Sequence, residues 1–69
     1  MKSAYVRLLN EGTEVFRPIE VEELRDGEYR IIAPTDAIDE QWEFELGAVV
    51  TLATVATVAG EAIEVAAPR

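Results

Sequence analysis

Gln41-Trp42-Glu43-Phe44-Glu45-Leu46 is the stretch on which the reading of this chain turns. Trp42, Phe44 and Leu46 are apolar, while Glu43 and Glu45 are charged. Alternation at every second residue is the period of a strand with one face buried and one face wet. The same rhythm places Tyr29 and Ile31 against Glu28 and Arg30, and Ile63 and Val65 against Glu64, so Ile63 and Val65 are expected to point inward. Ser3 to Leu9 reads as a further strand, with Val6 and Leu8 on one face and Tyr5, Arg7 and Leu9 on the other. That run does not decide which face is inside.

The segments between the runs carry turn chemistry. Asn10-Glu11-Gly12-Thr13 is expected to turn, with Gly12 supplying a positive φ. Glu14 to Ile19 reads as the second strand, and Pro18 marks an edge, a bulge or the strand's end because it cannot donate to a ladder. Ile19 to Leu24 alternates with a slip of phase, which fits a bulge near Pro18; a single helical turn is the alternative. Asp26-Gly27 predicts a hairpin with a type I′ turn. Pro34 ends the returning strand, and residues 34–40 form a polar connection in which Thr35 or Asp36 is placed to cap a short helical turn.

From Leu46 to Gly60 no residue is charged. The stretch is shorter than the roughly 20 residues that a membrane helix needs. Its valines and threonines favour a strand in which Val50, Leu52, Thr54, Ala56 and Val58 share one face and Val49, Thr51, Ala53, Val55 and Thr57 the other. A helix from Leu52 onward is the alternative. Two nearly apolar faces imply a central strand or a face that meets a partner. Gly60-Glu61 makes the last turn and Ala62 to Ala66 closes the fold. The expected architecture is all-β: one domain over residues 1–69, an antiparallel SH3-like barrel or half-open roll of five to six short strands.

Composition limits the chemistry. The 69 residues include no cysteine, which removes disulfides and thiolate metal sites, and no histidine, the usual general base near neutral pH. Ser3 is the only serine. Glu43 and Glu45 would stand about 6.6 Å apart on one strand face, a spacing that suits paired carboxylates, but a wet strand face explains them as well. Glu22–Glu23 and Asp39–Glu40 read the same way. Asp36, Asp39 and Glu40 lack the spacing of a dedicated cation loop. No catalytic residue, metal or cofactor is therefore expected, and the chain is not read as an enzyme.

The net charge is −8, and residues 35–69 carry seven acidic groups against Arg69 alone. Such a surface repels phosphates, so nucleic acid is not an expected partner, and neither is a membrane. It suits solubility or a basic protein patch. The start of the chain, charged at Lys2 and Arg7, lacks the apolar run of a signal peptide, and a cytoplasmic location is expected.

The stretch from Val6 to Pro18, then Asp26-Gly27-Glu28-Tyr29-Arg30-Ile31, then Glu40-Gln41-Trp42-Glu43-Phe44, resembles a family of short uncharacterised bacterial proteins. Glu11-Gly12-Thr13 with Arg17-Pro18, and Trp42-x-Phe44 with Gly47-x-Val49-Val50, carry the likeness, which covers about two thirds of the chain. In that family Pro-Gly commonly follows the Trp-x-Phe piece, where this chain has Leu46-Gly47. The resemblance implies a small β-fold and a bacterial source.

These readings converge on a non-catalytic protein–protein interaction module. Tyr5, Arg7, Phe16, Arg17, Glu43 and Glu45 are the candidate contact residues, because aromatic and arginine side chains dominate binding hot spots. The alternatives are a homo-oligomeric structural module joined through the uncharged 49–58 strand, and an acidic inhibitor or immunity-type protein that masks a basic enzyme.

Overall fold

A computed structural model describes residues 1–10, 15–36 and 40–69. Five strands run β1 (Lys2–Arg7), β2 (Phe16–Arg25), β3 (Glu28–Ala33), β4 (Val49–Ala56) and β5 (Ala62–Ala67), and they close in sequence order into a small all-β barrel. Residues 52–56 lie in β4 and not in a helix. The successive strands pair antiparallel, whereas the closing pair, β1 with β5, is parallel. An odd number of strands in an up-and-down ring requires this, because the last strand returns in the direction of the first.

Alternation on β1 resolves in favour of Ala4 and Val6, which are buried, and against Tyr5 and Arg7, which line the outer face. The core gathers Ala4, Val6, Ile19, Val21, Ile31, Val50 and Ala66, with Tyr29, Trp42, Phe44, Ala48 and Leu52 packed against it. No side chain larger than isoleucine is fully buried among the described residues.

The ladder phase explains Pro18. The Leu8 N–H donates to the Val15 carbonyl, and antiparallel pairs alternate between bonded and non-bonded positions. Arg17 and Ile19 therefore bond toward β1, and the nitrogen of Pro18 points to the β3 side. Opposite Glu20, β3 ends at Ala33, so no strand neighbours that nitrogen. The strand runs straight through Pro18. The bulges lie further along: one sets Ile32 against no partner, and the other does the same for Leu24, which shares the exposed side of β2 with Glu20 and Glu22.

Three local expectations are corrected. Gln41 to Leu46 is not a strand. Trp42 makes an isolated bridge to Leu8, with the Leu9 N–H on the Gln41 carbonyl and the Glu43 N–H on the Arg7 carbonyl. Beyond it, the Ala48 N–H bonds to the Glu45 carbonyl around Gly47, whose φ is 88°. Trp42 and Phe44 still face the core and Glu43 and Glu45 the solvent, so the burial alternates without a ladder, and Leu46 is exposed. At Asp26-Gly27 the hairpin forms, but only Gly27 has a positive φ (79°), whereas a type I′ turn needs two such residues. On β5 Val65 is buried as expected, beside Tyr5, but Ile63 is only half-buried, and the neighbouring Ala66, which pairs with Leu52, joins the core cluster. Of the expected turn at 10–13 only Asn10 is described, with a φ of 62°; residues 11–13, Asp39 and the helical turn expected after Thr35 or Asp36 lie outside the described residues.

Candidate functional site

The six residues singled out from sequence separate into three groups. Tyr5, Arg7 and Phe16 share the outer face. Arg7 lies opposite Phe16 at a non-bonded position of the β1–β2 ladder, where side chains approach closely, and its guanidinium carbon sits 5.6 Å from the ring centroid. Arg17 pairs with Val6 and so points to the opposite face, at the end of the core. Its Nε lies 3.5 Å from Oε1 of Glu40, the oxygen that also accepts the Trp42 indole N–H at 3.0 Å. Glu40 thus links Arg17 to the Trp42 indole. Glu43 and Glu45 are exposed on the irregular segment and do not join the aromatic group.

Two concavities meet at Tyr5. The larger, about 480 Å³, runs along the flank of β1 and β2 past Pro18 to Ala33 and Pro34. The smaller, about 300 Å³, lies between Tyr5 and Phe16 on one side and Thr57, Val58, Glu61 and Ile63 of the β4–β5 hairpin on the other. Gly60, with a φ of 86°, allows this hairpin to turn, and Thr57 holds it through the Glu61 N–H on its hydroxyl and through its own N–H on the Glu61 carbonyl. Val58 at the tip is fully exposed. The hairpin's share in the site had no local sequence signal, because Ile63 and Phe16 are brought together only by closure of the ring.

The electrostatics are one-sided. Lys2 holds Glu64 at 2.9 Å, Arg30 holds Glu22 at 3.7 Å, and Glu28 holds Arg25 at 3.3 Å through one oxygen and Arg69 at 3.1 Å through the other. The hydrogen bond and charge of Glu64 raise the Lys2 pKa. With Arg17 on Glu40 and Arg7 over Phe16, every basic side chain is engaged. Among the described residues, Glu20, Asp26, Glu43, Glu45 and Glu61 form no ion pair. No group of three or more metal-binding side chains is present among the described residues, and no described helix is long and apolar enough to cross a membrane. No family model, curated protein or solved structure matches this chain.

Proposed function

We propose that this barrel is a non-catalytic protein–protein interaction module. Its contact surface is the concavity between Tyr5, Phe16 and the tip of the β4–β5 hairpin. The observation that carries the reading is an apolar hollow, with the exposed Val58 at its lip, on a surface whose basic groups are all engaged. An aliphatic or aromatic side chain fits the hollow. Basic residues around it would meet Glu61 and the unpartnered carboxylates, giving attraction at long range and packing at short range. The absence of histidine and cysteine from the sequence favours binding over catalysis. A bacterial source is what the resemblance described above implies.

A photo-crosslinker placed at Val58 in the source cell tests this. One dominant adduct is expected, and it should be lost on Phe16→Ala and weakened by salt. No adduct from Val58, or one equally strong from Asp26, would remove the reading. The acidic-inhibitor version is favoured by the engaged cations alone. It requires the adduct to be a basic protein whose activity falls on binding.

A further inference from the structure

Strand β4 is bonded along its length on one side only. It pairs with β5 from Thr51 to Ala56, but with β3 only at Val49 and Val50. Beyond that point the β2–β3 hairpin has turned away at Asp26-Gly27. The Thr57 N–H on the Glu61 carbonyl fixes the phase of the β4–β5 ladder, so Thr51, Ala53 and Val55 bond toward β5. The N–H and C=O groups of Leu52, Thr54 and Ala56 point the other way, and no described residue receives them. Open edges of this kind are usually blunted by charge, proline or a bulge. This one carries none of them.

We propose that the free edge of β4 is a self-association site, where two copies pair β4 to β4 antiparallel about a two-fold axis at Thr54. In that register Thr54 faces its own copy and Leu52 faces Ala56 of the second copy. All three are bonded positions, so every free N–H meets a free C=O. A second copy fits better than a foreign strand because of charge. Among the described strands β4 alone has no ionisable side chain, so pairing β4 with β4 sets no like charges opposite each other. The nearest carboxylate on β5 is Glu64, opposite Thr54 and already held by Lys2. Across the seam the two Glu64 residues stand about three strand spacings apart, roughly 14 Å, beyond the screening length at physiological salt. Cross-strand threonine pairing adds a favourable contact at the axis. The proposal does not use the Tyr5–Phe16 hollow and stands or falls separately from it.

Sedimentation of the intact chain from micromolar to millimolar concentration, with amide exchange by NMR on the same samples, tests it. The expected result is a monomer–dimer equilibrium in which the Leu52, Thr54 and Ala56 amides gain protection with concentration while those of Ala53 and Val55 do not change. Thr54→Lys and Thr54→Glu should each weaken the dimer at least about ten-fold, and mixing the two should restore it. A wild-type monomer throughout overturns the proposal, whatever else the edge accepts. A dimer without the alternating amide pattern overturns it too, and that readout decides the matter even if a Thr54 variant fails to fold.

Discussion

Proline placement gives the sharpest test of the ladder phase. Pro18 is the third residue of a ten-residue strand, and its missing N–H falls where β3 has already ended. Pro18→Ala should therefore cost no ladder bond. Its expected cost is the extra freedom of the unfolded chain, within about 1 kcal/mol. Glu22 stands an even number of residues away, with its nitrogen also on the β3 side, but there it faces Arg30 in the ladder. Glu22→Pro deletes that bond, leaves the Arg30 carbonyl without its donor and pushes a ring against β3. Loss of a buried or semi-buried partner costs about 1–3 kcal/mol. Glu22→Ala is the control for the Glu22–Arg30 ion pair, whose side chains are about half exposed and which is worth about 0–1 kcal/mol. A domain of this size has only about 3–10 kcal/mol in total, at roughly 0.05–0.15 kcal/mol per residue. Urea unfolding followed by Trp42 fluorescence at one fixed protein concentration would report it, since a slope of about 1–3 kcal/mol/M turns 2 kcal/mol into a midpoint shift of about 0.7–2 M. If Pro18→Ala lost as much as Glu22→Pro, the assigned phase of β2 would be wrong.

Three further outcomes follow from individual contacts. Ile31→Ala removes one of the largest fully buried side chains and should cost about 2–5 kcal/mol, enough to leave much of the chain unfolded by circular dichroism, whereas Leu46→Ala at an exposed turn should change little. Because folding raises the Lys2 pKa, the Lys2–Glu64 contact stabilises the fold below the unfolded lysine pKa, and the benefit disappears as pH rises through the folded value. Amide exchange on β1 and β5 should therefore quicken at alkaline pH in the wild type, with no such step in Glu64→Gln. Glu40→Gln removes the charge that Arg17 and the Trp42 indole share, and should move the Trp42 emission while leaving the strand ladder signals in place.

The sequence was informative wherever the cause of structure was local. Turn residues at Asp26-Gly27, Gly47 and Gly60 fell where the chain turns, and the Val- and Thr-rich run from Val49 became β4. Burial at Trp42 and Phe44 followed the alternation as well, but the strand did not, because a strand needs neighbours and only the end of β1 is available there. On β5 the alternation holds for Val65, which is buried, but the adjacent Ala66 is buried too and Ile63 is only half-buried, so both faces of the strand's end are covered. In the candidate site, Arg7 and Phe16 were each legible as contact residues, but their facing positions come from the β1–β2 register. The separation of Arg17 from them depends on strand phase. The contribution of Thr57, Val58 and Ile63 depends on ring closure, to which no short stretch of sequence speaks.

The parallel seam between first and last strands gives the barrel a polarity. Tyr5 lies beside Val65 with both strands running the same way, so the chain leaves that point toward Met1 and toward Arg69 in opposite directions. A polypeptide passes through this unit instead of doubling back. Cargo joined ahead of Met1 would stand at the far pole from cargo joined after Arg69, and copies strung head to tail would stack like beads along the barrel axis.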